Sequence, residues 1–593
     1  MPDKRSPNEV IKDKSRYLRG TIAHGLGQIE TGGIDEDDTQ LTKFHGIYQQ
    51  DDRDLRPERR KKKVEKAYSF MVRVRVPGGV VTPAQWLAMD RIADEHANGT
   101  LRLTSRQAFQ LHGVIKSNLK PAIQAINAAL LDTIAACGDV NRNVMCNPLP
   151  EQSQAHAAAL KLARDLSAHL TPRTPAYHEI WLDGEKIADT SARVEVLPSD
   201  GAAPERDPVE PIYGKHYLPR KFKIVVAVPP SNDVDIFAHD LGYIVIADAA
   251  GAIAGYTVTV GGGMGMTHGE EDTFPRTADL LGFCSPEQAV AVAEAVVTTQ
   301  RDFGDRENRK HARLKYTIEE RGLDWFRGEV ERRLGYKLAP PRPFAFTSTG
   351  DRYGWIRDQS GAWAYGLFVQ NGRVLDRPGR PMKTALARIA QDFAGDLRLT
   401  ANQNLVIAGI APEKKPALET LLAESGLGND WTGLRLNSMA CVALPTCGLA
   451  LAESERYLPD VVDALERVCI RAGIEHDAIV IRMSGCPNGC SRPFLAEIGL
   501  VGRTPGRYNL YLGAAFDGSR LNKLYRQDVG HEEIIAALSP LIESYARDRT
   551  AGERFGDFVI RKGIVRATAC GRDFHSQIGP AKAAAEARFD VSI

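Results

Sequence analysis

The sequence predicts an α+β fold, internally duplicated, in which mixed sheets flanked by helices are related by a pseudo-two-fold axis. Three observations lead there. Strand-like and helix-like segments mix without a regular βαβ alternation. A fifteen-residue segment occurs twice: Gly99 to Gly113 reads GTLRLTSRQAFQLHG and Gly395 to Gly409 reads GDLRLTANQNLVIAG, with seven identities including the whole Leu-Arg-Leu-Thr core. The elements around the two copies also recur in order, as a duplication requires.

The first 66 residues are polar and irregular, ending in a charge-dense run from Asp51 to Lys66. Such a run reads as a solvated arm or linker; the alternative is an arm that wraps another part of the molecule or a partner subunit. From Ser69 the alternation Phe70-Met71-Val72-Arg73-Val74-Arg75-Val76 predicts a strand that stops at Pro77-Gly78-Gly79. Pro83 to about His96 predicts a helix with Trp86, Met89, Ile92 and Ala93 on one face. A second helix, through Lys383 to Ala390, precedes the second copy of the repeat. A glycine-rich loop, VGGGMG from Val260, follows a strand and leads to a helix from Glu287 to about Arg301; Tyr511 to Ala546 repeats that order.

Composition narrows the function. Lys and Arg number 76 against 75 Asp and Glu, a net charge of +1, so no global field advertises a nucleic-acid or membrane partner. No run of 18 apolar residues appears, and the start, Met1-Pro2-Asp3-Lys4-Arg5, leads into polar sequence. Nine cysteines in 593 residues are too few for a disulfide scaffold, so the thiols are expected reduced and the chain cytoplasmic.

Four of those cysteines form two close pairs, Cys441-x5-Cys447 in ACVALPTCG and Cys486-x3-Cys490 in SGCPNGCSRP. Cys137, Cys146, Cys284, Cys469 and Cys570 are scattered. Four thiolates suit a zinc ion or an iron–sulfur cluster equally in charge. The five-residue spacer is long for a zinc knuckle, whereas a cluster spreads its corners and tolerates it. The Pro487-Asn488-Gly489 turn would aim backbone amides toward the sulfurs.

Several basic residues alternate so as to share a face: Arg73 with Arg75, Arg102 with Thr104 and Arg106, and Lys221 with Lys223 after Arg220 at the mouth of the apolar strand FKIVVAVP. Arg142 sits in the turn-like Asn141-Arg142-Asn143. A half-buried cation needs a counter-ion, so a bound anion is expected, unless tertiary acids supply the charge. There is no G-x-G-x-x-G fingerprint and no P-loop, and VGGGMG fits neither. Electrons for a redox cluster must therefore arrive from another protein.

On these residues the chain resembles the siroheme- and 4Fe-4S-containing sulfite and nitrite reductases, most closely the haemoprotein subunits of the bacterial NADPH-dependent type. The resemblance runs from Tyr17-Leu18-Arg19-Gly20-Thr21 through FHGIYQQDDRD at Phe44 to Asp54 and on to about Val565, and rests most specifically on ACVALPTC and SGCPNGC. Only the last two dozen residues look unfamiliar.

The resemblance implies Cys441, Cys447, Cys486 and Cys490 as cluster ligands, with Cys490 also the proximal thiolate on the siroheme iron. Arg102, Arg106, Gln110, His112 and Asn488 would contact the cofactors; siroheme is a polycarboxylate and would take charge-assisted contacts. Arg73, Arg142, Lys221 and Lys223 resemble the four cations of the distal pocket. Arginine anchors charge and lysine, when crowded, also gives up a proton, so Arg73 and Arg142 would hold sulfite while Lys221 and Lys223 deliver protons. The Lys-Phe-Lys pattern implies sulfite as substrate; nitrite-preferring relatives tend to carry Asn at the second lysine, so Lys223→Asn would shift the kcat/KM ratio toward nitrite.

The implied activity is that of an assimilatory, NADPH-dependent sulfite reductase, six electrons passing from a separate flavoprotein subunit in a hetero-oligomer. The implied organisation is an N-terminal arm (1–66), a ferredoxin-like half-domain and a siroheme and substrate domain in the first repeat (67–145, 146–335), then a ferredoxin-like half-domain and a cluster-binding domain in the second (336–425, 426–593). In the second repeat Arg398, Asn402, Gln403 and Asn404 stand on the equivalent strand, and Cys146 is a remnant of the cluster half or a plain core cysteine. Tyr48 and Cys137 stand where some relatives join a tyrosine to a cysteine. The alternatives are a ferredoxin-dependent reductase of the same fold and, in another class, a zinc-stabilised binding protein.

Overall fold

The computed structural model describes residues 4–150, 152–183, 210–568 and 571–575. Met1 to Asp3, Cys570 and most of the unfamiliar C-terminal segment lie outside them. In chain order the first half contributes strands β1 (Ile47–Asp51), β2 (Tyr68–Val74), β3 (Val80–Val81), β4 (Leu101–Leu103), β5 (Phe109–Val114), β6 (Met145–Cys146), β7 (Ile224–Ala227), β8 (Leu241–Ala247), β9 (Ile253–Val260) and β10 (Asp279–Cys284). The second contributes β11 (Gly354–Arg357), β12 (Trp363–Leu367), β13 (Arg373–Val374), the hairpin β14 (Asp376–Arg377) and β15 (Arg380–Pro381), β16 (Asp396–Leu399), β17 (Leu405–Ile410), β18 (Ser438–Ala440), β19 (Ile481–Ser484), β20 (Ile498–Thr504), β21 (Arg507–Leu512) and β22 (Lys523–Val529).

The duplication is visible in the sheet orders. One pair of sheets runs β1-β2-β5-β4-β13 and β11-β12-β17-β16-β3; the other runs β10-β9-β8-β7-β6 and β22-β21-β20-β19-β18. In each sheet of the second pair the first three strands along the chain are parallel and the last two antiparallel. The first pair exchanges its edges: β3 from the first half pairs with β16, and β13 from the second half pairs with β4. Close backbone approach makes the exchange possible. A Cβ on Gly79 would meet the Leu399 carbonyl at 2.5 Å, and one on Gly372 the Leu103 carbonyl at 2.1 Å, both glycines having positive φ.

The helix Pro83–His96 forms as its periodicity requires. Thr82 accepts from the Gln85 N–H in a capping box, Pro83 starts the helix, and Trp86, Met89, Ile92 and Ala93 are buried. The helix Met382–Asp392 occupies the matching place in the second half, and Ala289–Phe303 and His531–Asp548 follow β10 and β22. Among the described residues no helix is long and apolar enough to cross a membrane.

The N-terminal segment departs from the expected solvated arm. Leu18, Ile22, Leu41, Phe44 and Ile47 are buried in the main core, and β1 pairs antiparallel with β2, Tyr48 opposite Met71. A boundary at residue 66 would cut that sheet. Only the charge run behaves as a solvated face: the helix Arg56–Lys61 buries no residue, and Arg60 to Lys66 are exposed.

Candidate active site

Strand pairing brings the distant cations together. Arg73 on β2 lies opposite Gln110 on β5, and its guanidinium donates to Cys137 Sγ at 2.9 Å. With the Gln110 amide oxygen turned toward it, Arg73 Nη2 also donates there at 2.6 Å. The Arg142 N–H donates to the Phe222 carbonyl at 3.0 Å, next to a parallel bridge between Asn141 and Phe222. Phe222 turns into the core, so pleating sends Lys221 and Lys223 to the opposite face. All four cations are half-buried.

Their charges act on one another. Burial, then Arg220 and Arg142, lowers the Lys221 ammonium to about 7, and the Cys490 sulfur is near enough to oppose this. Burial, then Lys221 and Arg106, pushes Lys223 well below its ordinary value. Burial works against the Arg142 charge too, but Tyr48, Cys137 and Asp139 outweigh it. Tyr48 is raised by burial and then by Cys137, so this tyrosine and cysteine are neighbours beside Arg73 and Arg142.

Arg75 does not join this group. β2 ends at Val74 and the chain turns into the Pro77–Gly79 helical turn, so the period-two alternation stops. Arg75 is buried in a two-pronged pair with Asp132, at 2.9 and 2.7 Å, and its charge belongs to the scaffold.

The strand expected to contact the cofactor is buried throughout, at Arg102, Arg106, Gln110 and His112, but its members differ in what they have left to offer. Arg102 donates to Glu455 at 2.9 Å and to the Ala440 carbonyl at 2.9 Å, while Glu455 is also held by Arg373 at 2.7 Å, so a protein acid answers its charge. Arg106 donates to the backbone carbonyls of Asn143 and Ile224, and Asp240 favours its charge less than burial and the neighbouring Arg492 and Arg142 oppose it. Burial, then Arg373 and Arg102, keeps the His112 ring neutral.

The four clustered cysteines leave the carboxyl ends of adjacent parallel strands. Cys441 follows β18 and Cys486 follows β19, and these strands pair Ala440 with Met483. Burial and then mutual repulsion push Cys441 up to about 12, and Cys447 and Cys486 up to about 11; each responds to the charge of Cys490. The Gly485 N–H donates to Cys441 Sγ at 3.3 Å and Asn488 Nδ2 to Cys486 Sγ at 3.5 Å. Cys490 is exposed, and its carbonyl accepts from Ser105 Oγ at 2.9 Å. Among the described residues no three His, Cys, Asp or Glu side chains converge as one metal ion would need. Four thiols on two turns at the ends of adjacent strands are a donor set for an iron–sulfur cluster, whose positive iron would favour the thiolates that burial opposes.

Several residues of this site were not singled out from sequence. Arg313 donates to Asp240 at 2.7 Å, the same carboxylate oxygen that accepts the Lys223 N–H at 3.0 Å. Lys315, fully buried, donates to the carbonyls of Gly263 and Gly265 in the glycine-rich loop. That loop is stitched to the cysteine turn by Met266 N–H donating to the Pro487 carbonyl at 2.9 Å. A Cβ on Gly263 would sit 2.8 Å from Arg313 Nη1, which explains the glycine. Arg492 and Arg482 share Asp235. The Arg-Leu-Lys of HARLKY was the available signal, a basic pair at alternate positions, but outside any strand pattern.

A polyanionic cofactor beside Cys490 passes a direct test of fit. Arg106 Nε, Arg313 Nε and His112 Nδ1 are buried without a hydrogen-bond partner among the described residues. Such donors are costly unless a ligand acceptor meets them. The surrounding charge, from Arg73, Arg106, Arg142, Lys221, Lys223 and Arg313, exceeds what Asp240 offers.

Comparison with known proteins follows the same lines. The family model described as nitrite/sulfite reductase ferredoxin-like half domain matches residues 62–129 and 356–425, the exchanged sheets. The model described as nitrite and sulphite reductase 4Fe-4S domain matches residues 163–338, the copy without the clustered cysteines. The chain is 60% identical to the sulfite reductase (NADPH) hemoprotein beta-component of Methylobacterium nodulans over 98% of its own length and 94% of the relative's. It is 55% identical to the protein of that name from Staphylococcus haemolyticus, over 96% and 97%. The solved structure of Mycobacterium tuberculosis NirA protein shares the fold with a TM-score of 0.74 at 24% identity, covering 94% of this chain and 97% of that one.

Proposed function

Because the chain belongs to the siroheme- and 4Fe-4S-containing sulfite and nitrite reductase family, we propose that Arg73, Arg142, Lys221 and Lys223 bind and protonate sulfite. In the same reading Cys441, Cys447, Cys486 and Cys490 hold the cluster, and Cys490 also binds the siroheme iron. The chain acts as the catalytic haemoprotein subunit of an NADPH-dependent assimilatory sulfite reductase. Six electrons and seven protons convert sulfite to hydrosulfide and three waters. When bound, siroheme and the cluster would supply the electrons; the rest falls to the chain. A flavoprotein subunit brings the electrons from NADPH, in a cytoplasmic hetero-oligomer.

The residues divide the work by their chemistry. Arg73 and Arg142 keep their charge at any working pH and hold the substrate oxygens. Lys221, lowered to about 7 by burial and by Arg220 and Arg142, can both carry and release a proton near neutrality. Lys223, on the same face, is the second donor. Arg106, Arg313 and His112 turn their unpartnered nitrogens to the cofactor carboxylates, with Gln110 and Asn488 as neutral contacts and Arg102 orienting the strand through Glu455. Oxygen leaves as water because protons arrive from this wall.

The convergence of Arg73, Arg142, Lys221 and Lys223 beside Cys490 carries this reading. Purified protein is expected to show a siroheme visible band and acid-labile sulfide, and to release sulfide from sulfite with reduced methyl viologen. A colourless preparation that binds zinc and produces no sulfide would overturn it.

A further inference from the structure

The glycine-rich loop and the cysteine turn belong to different repeats, and they meet backbone to backbone. Met266 N–H donates to the Pro487 carbonyl at 2.9 Å, and a Cβ on Gly489 would sit 3.3 Å from the Met264 carbonyl. Beside that meeting lies an apolar cluster separate from the two larger cores. Met264, Phe274 and Tyr316 enter it from the first repeat, Phe494, Tyr511 and Leu524 from the second, and Phe574 from the C-terminal segment. Phe574 is 1% exposed.

The five residues around that ring, Gly571 to His575, are fastened to both repeats. Toward the first, His575 Nε2 donates to the Thr273 carbonyl at 2.8 Å, and Arg572 Nε pairs with Glu319 at 2.9 Å. Gly571 lies against Phe274, where a Cβ would come within 2.8 Å of the ring. Toward the second, the Phe574 ring stacks on Tyr511 at 5.7 Å and meets Phe494 edge-on at 5.3 Å. Lys523 Nζ donates to the Asp573 carbonyl.

What this segment grips is the support of the site. Arg276 pairs its backbone with Gly263 at 2.8 and 3.0 Å, and its side chain is held by Glu319 at 2.8 Å, the same residue that receives Arg572. Lys315 Nζ gathers the Gly263, Gly265 and Phe274 carbonyls. On the other side, Phe494 lies 3.2 Å from where a Cβ on Gly489 would stand, inside the Cys486-x3-Cys490 turn. The C-terminal segment is thus packed against both jaws that flank Cys490. One buried ring and a few hydrogen bonds release at far lower free energy than the sheets on either side.

We infer that Gly571–His575 is a clasp, with Phe574 a positioning residue. Closed, it presses the glycine-rich loop onto the cysteine turn and retains the bound siroheme and cluster; opened, it frees that loop and lets them enter or leave. The inference rests on the reading of the chain as a siroheme and cluster protein.

The test follows cofactor loss from purified holoenzyme, through the visible band and released iron, together with amide hydrogen exchange over residues 263–276. In Phe574→Ala both should quicken tenfold or more, and Phe574→Leu, which refills part of the space, should lie between it and the wild type. The milder double variant Arg572→Ala, His575→Ala should move both rates the same way with the ring in place. Ile123→Ala, a cavity in the main core within the helix Leu119–Ala128, should lower Tm and leave both rates near those of the wild type. Wild-type retention and exchange in Phe574→Ala and in the double variant would overturn the proposal. So would an equal loss in Ile123→Ala, since retention would then follow overall stability. A wild type carrying neither siroheme nor iron would instead strike the functional reading itself.

Discussion

The first repeat holds a crowded cationic wall, and the second repeat, built on the same sheets, holds none of it. The strand registers allow the two to be matched residue by residue. Val74 opposes Phe109 as Leu367 opposes Leu405, so Gly366 stands where the first repeat has Arg73. Met145 pairs with Val225 as Met439 pairs with Arg482, so Val480 and Ala478 stand for Lys223 and Lys221, and Leu436 for Arg142. Through the shared Leu-Arg-Leu-Thr strand, Asn402 replaces Arg106 and Ala408 replaces His112. Asn402 and Asn404 instead donate to Asp351, at 3.0 and 2.7 Å. The cavity lined by Asn402, Asn437 and Val480 is about 10 Å³, room for about one water. Backbone symmetry survived while the side chains parted: one copy keeps charge that needs an anion, and the other satisfies itself.

The sharpest way to break this comparison is to exchange the cysteines' roles. Cys490→Ser should abolish sulfite reduction and remove the visible band and most of the iron, measured on purified protein. Cys146→Ser, in the other repeat, should leave both in place. The Cys146 thiol is buried against the Gly78 and Asn147 carbonyls, and burial pushes it up to about 12, so it stays an inert core group. Retention of iron, pigment and turnover in Cys490→Ser would refute the cluster assignment.

Next in size is the installation of second-repeat residues in the first. Lys221→Ala and Lys223→Val, singly, should each lower kcat for sulfite by about 10²–10⁴-fold, the usual worth of a general acid, with siroheme content unchanged. In the wild type, Lys221 loses its proton as pH rises through about 7, and the anionic groups it faces when loaded raise that value. The rate should therefore fall on the alkaline side, at or above pH 7. Lys221→Ala should lose that limb; an identical pH profile would assign proton delivery elsewhere.

What the sequence made legible follows from how local each signal was. The Pro83–His96 helix and its buried face depend on period and capping within one segment. β2 instead ends at Val74, two residues before the Pro77 stop that the alternation predicts, and so takes Arg75 away from Arg73. The pairing of Lys221 and Lys223 on one face needed only strand alternation around Phe222. The exchange of β3 and β13 left no local trace, since an edge strand of two residues reads the same wherever it pairs. Charge balance was equally hidden: Arg102 meets Glu455, Arg492 meets Asp235 and Arg313 meets Asp240 across long stretches of chain. The N-terminal segment follows the second of its two readings, wrapping the rest of the molecule. Its apolar residues are hard to recognise because they are spaced among charges that pair across the chain, Arg19 with Glu179 and Glu9 with Arg306.

Asp139 shows what such hidden compensation contributes to the cationic half. This buried carboxylate receives Arg309 Nη1 at 2.9 Å and lies 3.7 Å from Lys12 Nζ and 3.9 Å from Arg220. Burial alone would raise its pKa, but Arg309 and Lys12 hold it well below the usual carboxylate range. A group depressed in this way stabilises the fold above its unfolded pKa of about 4, and that contribution is lost as pH falls further. Asp139→Asn should cost about 3–5 kcal/mol, the cost of leaving buried cations without their partner. Thermal unfolding at pH 7 measures it, and the acid-side loss of stability should be smaller in the variant.

The smallest expected effect tests the silent half directly. Asn402→Arg restores the first repeat's residue at the matching position, where burial has raised the Asp351 carboxyl and Thr400, Asn402 and Asn404 hold it. The new guanidinium would pull Asp351 toward ionisation, but a cavity of about 10 Å³ has no space for the longer side chain. Overpacking should outweigh the new pair and destabilise the chain by about 1–3 kcal/mol. Calorimetry should record a lower Tm while the KM for sulfite and the siroheme content stay as they were. An unchanged Tm would mean that the second repeat still has room for a charged ligand, and the contrast between the halves would then lie in occupancy rather than in packing.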